Sequence, residues 1–206
     1  MIIGRTLVDF EKKIYKNFLT KTSYYNISHL ARDFLLKNKI TQLPINLNDI
    51  FKQNKWKAVS YSKLKKLNIK TFEKYIHDNS GFTICYNNNM YVFYDDMLPI
   101  PIQRFTICHE IGHILLNHFD FPIANREQEA NMFAARILMP MCVLYECNIS
   151  NSREIEILCN VSSVAAKYRY ERLEMLKKRH KFYIDKNEKK LKNQFKNFIK
   201  SYLKNK

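Results

Sequence analysis

The chain has 206 residues, 46% of them hydrophobic, with 3 Gly, 5 Pro and a formal charge of +16. That length suits one compact domain with an appendage, or two small ones, and the apolar content is enough for a core. So few glycines and prolines exclude a long flexible linker or a turn-rich all-β fold, and a mostly helical chain is expected.

The basic excess is uneven. Residues 167–206 hold 15 Lys+Arg against 4 Asp+Glu, a local charge of +11, so the C-terminal region is the part able to attract phosphates, including nucleic acid, or acidic protein surfaces. The cysteines, Cys85, Cys108, Cys142, Cys147 and Cys159, are odd in number and contain no C-x-x-C pair. Reduced thiols in a cytoplasmic protein are expected rather than a disulfide framework. No apolar run reaches the ~20 residues that a membrane span requires, and the N-terminus lacks a signal-peptide core.

In chain order, Thr6–Leu19 and Ile27–Leu36 show helical apolar spacing, with Ser23 and Asn26 as candidate caps at a break between them. Pro44 interrupts the pattern, and a short helix is expected over Asn46–Phe51. Trp56–Tyr61 reads as a strand and Ile69–His77 as another short helix, with His29 and His77 given no chemical role. Gly81–Tyr86 and Met90–Tyr94 are β-rich runs joined by Asn87, Asn88 and Asn89, which tolerate left-handed turn geometry; this predicts a hairpin. A free hairpin edge is suited to pairing with an extended peptide segment.

Pro99 and Pro101 end the extended section, and a helix is expected from about Ile102 or Gln103. It carries His109-Glu110-Ile111-Gly112-His113. Positions i and i+4 share a helix face, so both imidazoles can point at one metal ion, while Glu110, about 100° round, is placed to act as a general base on water. Ile107, Ile111, Ile114 and Leu115 make this a buried helix, where unpartnered polar groups cost several kcal/mol.

A catalytic zinc takes three protein ligands and keeps one position open. Candidates for the third are Glu127, Glu129, His118 and Asp120, beyond or within the polar loop Asn117–Asn125. His118 does not fit the three-histidine pattern, and Asp120 is close to the end of the first helix. A glutamate from the next helix, expected from about Ala124 to Leu138, fits a two-histidine, one-glutamate set better. Glu127 is preferred, because Asn131 lies one turn on, where its amide would orient a ligand histidine. Ala134 and Ala135 on the same face would let the helices approach. Glu129, about 200° round from Glu127, is read as a solvated charge and kept in reserve.

The segment Phe105–His113, followed by Glu127–Pro140, closely resembles the ImmA/IrrE family of metallopeptidases, as do the hairpin and the Gln103-Arg104-Phe105 lead-in. The resemblance covers Gly81–Pro140, with a weaker echo at Leu158–Leu173. It implies an α+β, mostly helical chain: a minimal zincin-like metallopeptidase core with a small β-sheet and a helical C-terminal extension. It also implies Zn2+ held by His109, His113 and Glu127, with Glu110 as the catalytic glutamate. The implied activity is zinc-dependent endopeptidase cleavage of a helix-turn-helix (Xre-type) repressor encoded nearby, which would derepress a phage, a mobile element or a stress response.

Beyond the core, Ser152–Cys159 and Ser163–Met175 read as two helices around a short turn, a helix pair compatible with a helix-turn-helix unit. Leu191, Phe195, Phe198, Ile199, Tyr202 and Leu203 share a helical face among lysines, and a terminal helix packed on the body is expected. The expected division is 1–148 as metallopeptidase domain, 149–180 as helical segment and 181–206 as basic amphipathic tail. The competing reading is a DNA-binding or repressor-sequestering regulator with a non-catalytic metal site.

Overall fold

The computed structural model describes residues 2–3, 21–66, 72–118, 125–178 and 186–206. The helix expected over Thr6–Leu19 and the candidate ligand Asp120 lie outside the described residues. The chain divides into two compact units, one of residues 1–25 and 47–134 and one of residues 26–46 and 135–206.

The first unit is built on a four-stranded mixed sheet of β1 (Ile2–Ile3), β2 (Lys57–Ser60), β3 (Gly81–Tyr86) and β4 (Asn89–Tyr94), in the order β1-β3-β4-β2. The hairpin forms as its asparagines predict: Asn87 (φ 46) and Asn88 (φ 61) are both left-handed, and Tyr86 pairs with Asn89, so the turn has two residues and not three. Two consecutive positive φ values match the twist of the flanking strands, which is why asparagine serves here. The hairpin is internal to the sheet. β2 runs parallel to β4 along Tyr91–Tyr94, and β1 runs antiparallel to β3 opposite Thr83 and Ile84, so that stretch of the β3 edge is already taken.

Alternation along the hairpin separates two faces. Phe82 and Phe93, cross-strand partners, stack at 4.8 Å and form a core with Tyr61 and Leu64 of helix α3 (Tyr61–Lys66). Phe72, and Tyr75 and Ile76 of α4 (Glu73–Asp78), pack against that cluster. The other face, with Thr83 and Val92 fully buried, carries helix α5 (Ile100–Leu115). Gly81 permits this approach: a Cβ there would lie 2.3 Å from Thr106 Cγ2 and 3.1 Å from the Phe93 carbonyl oxygen. A short helix α2 (Leu47–Asn54), slightly longer than expected, precedes β2 and buries Ile50 and Phe51.

Helix α5 starts two residues earlier than predicted, because Pro99 serves as N-cap and Pro101 sits in the first turn, where no amide donor is needed. Its end is a left-handed reversal. Asn117 has φ 54, its N–H bonds to the Ile114 carbonyl at 3.3 Å, and the His118 N–H bonds to the His113 carbonyl at 3.1 Å. These are the two hydrogen bonds of a Schellman cap. Helix α6 (Arg126–Leu138) begins after left-handed Asn125, with Glu127 and Glu129 in its first turn, where acidic side chains suit the helix dipole. The close approach of α5 and α6 falls at Gly112, whose added Cβ would meet Ala130 Cα at 3.0 Å.

The second unit is helical among its described residues. Helix α1 spans Lys21–Lys37, so it starts before the expected Ile27, and positions 23 and 26 fall within it. Within the unit it buries Ile27, Ala31, Phe34 and Leu35, the i, i+4, i+7, i+8 stripe of an amphipathic helix. After Pro140 come α7 (Met141–Glu146), α8 (Ser152–Cys159) and α9 (Ser163–Lys178). Asn151 caps α8 by accepting the Glu154 N–H, and left-handed Asn160 closes it. The terminal stripe forms two helices, α10 (Lys186–Gln194) and α11 (Lys196–Lys204), rather than one. Leu191, Phe195 and Ile199 are buried, and Gln194 Nε2 donates to the carbonyls of Leu35 (2.9 Å) and Ile40 (2.6 Å). The tail therefore packs on its own unit with its lysines outward. No helix among the described residues is long and apolar enough to cross a membrane, and the cysteines are free thiols, four of them buried.

Candidate metal centre

Helix α5 presents His109 and His113 one turn apart, and their Nε2 atoms face each other at 2.9 Å. From the first turn of α6, Glu127 brings Oε2 to 3.3 Å from His109 Nε2 and Oε1 to 3.7 Å from His113 Nε2. A tetrahedral centre with zinc–ligand bonds of about 2.0–2.1 Å sets its ligand atoms about 3.3 Å apart. The separations of 2.9, 3.3 and 3.7 Å, the last two to different oxygens of the Glu127 carboxylate, bracket that spacing, so these residues fit a tetrahedral metal ion. His113 is sealed at 1% side-chain exposure, whereas Glu127 keeps 28%, so solvent reaches the cluster on the Glu127 side.

The outer ring nitrogens explain why both Nε2 atoms are free to point inward. His109 Nδ1 lies 2.6 Å from Asn131 Oδ1, which accepts only, so Nδ1 carries the proton and Nε2 the lone pair. His113 Nδ1 lies 2.9 Å from His118 Nδ1, and His118 Nε2 lies 3.3 Å from Glu129 Oε2. Glu129 is only 15% exposed and faces a histidine, which corrects its reading as a solvated charge.

Glu110 is buried against the sheet, 3% exposed, and Thr83 Oγ1 of β3 donates to its Oε2 at 2.7 Å. The sequence alone does not point to Thr83. Its only sequence signal is the alternation that turns it to the same face as Gly81. Burial pushes the Glu110 carboxyl up to about 7, opposed by the His109 charge and the Thr83 hydrogen bond and assisted by the Glu127 charge.

The histidines divide. Burial takes His113 down to about 4, with the neighbouring His109 and His118 adding to the effect against its hydrogen bond to Glu127. Burial also works against charge on His109, but the hydrogen bond to Glu127 and the charges of Glu110 and Glu127 outweigh it, and its pKa is raised. Burial would raise Glu127, yet its hydrogen bonds to both histidines and their charges hold it far below the usual carboxylate range. The donor set is therefore an ionised carboxylate and two imidazoles, one of them firmly neutral.

A family model for the IrrE N-terminal-like domain, peptidase family M78, matches residues 64–179, more than half the chain and all of these side chains. The chain belongs to the M78 peptidase family. Membership of this ImmA/IrrE-type metallopeptidase family implies a metal ion and a protein substrate. The M78 match also takes in α8 and α9, so the helix pair beyond Pro140 is part of the matched region. No curated protein matches the chain closely enough to add a further relative.

Proposed function

We propose that the chain is a zinc-dependent endopeptidase that cleaves a helix-turn-helix repressor encoded nearby, relieving repression of a phage, a mobile element or a stress response. The observation that carries this reading is the triangle of His109 Nε2, His113 Nε2 and Glu127 carboxylate, with Glu110 directly after the first histidine and held by Thr83. Zinc bound by these three residues would supply a Lewis acid for the scissile carbonyl and bring the pKa of water near neutrality.

The protein's own groups do the rest. Glu127 and the two imidazoles present one negative charge and two lone pairs to the cation. Asn131 keeps His109 in the tautomer that binds through Nε2. Glu110, with a pKa close to neutral, accepts a proton from the attacking water and returns it to the leaving amide nitrogen. Thr83 aims that carboxylate by holding Oε2, leaving Oε1 for the proton transfer.

The test is to incubate the zinc-loaded protein with the neighbouring repressor and look for a shorter fragment. Cleavage that Glu110→Gln abolishes while zinc remains bound supports the peptidase reading. The helix pair α8–α9 and the +11 charge of residues 167–206 favour a second reading, a regulator that binds DNA. Operator binding with a steep salt dependence, indifferent to Glu110→Gln and without cleavage, would select it.

A further inference from the structure

The metal-facing nitrogens of His109 and His113 are equivalent, but the groups behind them are not. His109 leans on a neutral amide, Asn131 Oδ1, at 2.6 Å. His113 leans on an imidazole that in turn reaches a carboxylate, through His118 Nδ1 at 2.9 Å and Glu129 Oε2 at 3.3 Å. His118 is as buried as His113 itself, at 1% side-chain exposure. We propose that His118 and Glu129 are positioning residues, a relay that sets the tautomer of His113 and aims its Nε2 into the metal centre.

The proton count along the relay allows one arrangement that makes every contact. For His113 to offer an Nε2 lone pair it must carry its proton on Nδ1. That proton points at His118 Nδ1, which must then be the acceptor. His118 therefore carries its own proton on Nε2, directed at Glu129 Oε2, which accepts only. Turning any member over sets two N–H groups or two lone pairs against each other at 2.9 Å. Glu129 thus determines His118, and His118 determines His113, in the way a carboxylate behind a ligand histidine strengthens it as a donor.

The backbone shows how His118 reaches this position. In the Schellman cap of α5, His118 is the residue whose N–H returns to the carbonyl of His113. The side chains meet where such caps usually make an apolar contact, and here the contact is a hydrogen bond between two imidazoles. The reversal needs left-handed Asn117, so Asn117-His118 after the last turn is the sequence feature that builds the relay.

This inference rests on the metal reading above, and its experiment is chosen to separate the two. The zinc affinity of the full chain is measured by competition with a chelator of known strength, with circular dichroism of the metal-free protein checking the fold. His118→Phe keeps the ring volume and removes the acceptor; His118→Asn keeps an acceptor near the Nδ1 position with less bulk. The relay requires His118→Phe to weaken zinc binding by about 10- to 100-fold, the usual effect of removing such a partner. It also requires His118→Asn to recover much of the loss, and Glu129→Leu to weaken binding where Glu129→Gln, which retains an acceptor, does so less.

A purely packing role predicts the reverse order at position 118. Equal affinity across the four folded variants, or tighter binding by His118→Phe than by His118→Asn, overturns the relay and leaves the metal centre standing. Failure of the wild-type protein to bind zinc overturns both. A second readout does not need any variant to fold: in 15N-labelled, zinc-loaded wild type, ring correlations should show the proton on Nδ1 of His113 and on Nε2 of His118. The opposite tautomer of His118 refutes the relay.

Discussion

Replacing Glu110 with glutamine should stabilise the metal-free protein while removing its activity, and the stabilisation should depend on pH. The carboxyl titrates near 4.5 when exposed and near 7 in the fold, chiefly because it is buried between α5 and the sheet. Its folded-state pKa is raised, so the folded chain holds the proton more tightly. The associated stability is complete below about pH 4.5 and is lost as pH rises through about 7. A gap of about 2.5 pH units at 1.36 kcal/mol each amounts to on the order of 3 kcal/mol above pH 7. Glutamine can still accept from Thr83 and carries no charge. At pH 5 the variant should lead by less than about 1 kcal/mol, and at pH 8 it should be more stable by about 3 kcal/mol, roughly 6–12 °C in Tm for a chain of this size.

The assay is denaturant unfolding in chelator, followed by the fluorescence of Trp56, the only tryptophan and a member of the same unit. A difference that is the same at pH 5 and pH 8, or a variant less stable at pH 8, refutes the argument that a buried, unneutralised carboxylate burdens this fold. Zinc supplies a second arm. A bound cation favours the ionised carboxylate, so the gap at pH 8 should narrow when zinc is added. Under the proposed mechanism the same substitution also takes away the group that accepts the proton from water, and cleavage by the zinc-loaded protein should fall by about 10²–10⁴-fold.

Other predictions concern the groups around that carboxyl. Thr83→Val keeps the shape of β3 but deletes the donor that holds Glu110 down, so the acid limb of the kcat/KM profile should move to higher pH. An unmoved limb would show that Thr83 does not act on the carboxyl. Gly112→Ala places a methyl group 3.0 Å from the Ala130 backbone and forces α5 and α6 apart. It should lower stability by about 1–3 kcal/mol, and it should weaken zinc binding as well, because it moves Glu127 away from the histidines. Unchanged affinity by chelator competition would count against the two-helix origin of the ligands. Zinc at 100 times its Kd should add about 2.7 kcal/mol to the stability of the wild type, read as a rise in Tm that chelator reverses, and His113→Ala should abolish the rise.

Much of this centre is legible without coordinates because it is local. His109, Glu110 and His113 follow from one helix and its 3.6-residue period, and the bounds of α8 coincide with Asn151 and Asn160 at the ends of an apolar pattern. The hairpin is announced by its asparagines. The parallel pairing of β2 with β4 is another matter. It joins residues more than 30 apart, and nothing in Lys57–Ser60 encodes which neighbour it takes. Thr83 is opaque for the same reason, since its partner Glu110 is 27 residues away. The break at Phe195 is hidden too, because the apolar stripe from Leu191 to Leu203 keeps its helical period across it.

Glu129 shows most clearly where periodicity stops being enough. Its place about 200° round α6 from Glu127 is correctly inferred, and a position opposite the ligand face ordinarily means solvent. That inference treats α6 as having one neighbour in α5, reached only through its ligand face. The cap at Asn117 changes the neighbour. It turns the chain back so that His118 comes to lie behind His113, and the buried imidazole meets the side of α6 that the helical wheel assigns to water. One left-handed residue at a helix end is therefore sufficient to convert a surface carboxylate into the far end of a hydrogen-bond chain 3.3 Å from a buried histidine. The sign was present in the sequence as Asn117-His118, a C-cap residue followed by a group too polar to be buried without a partner.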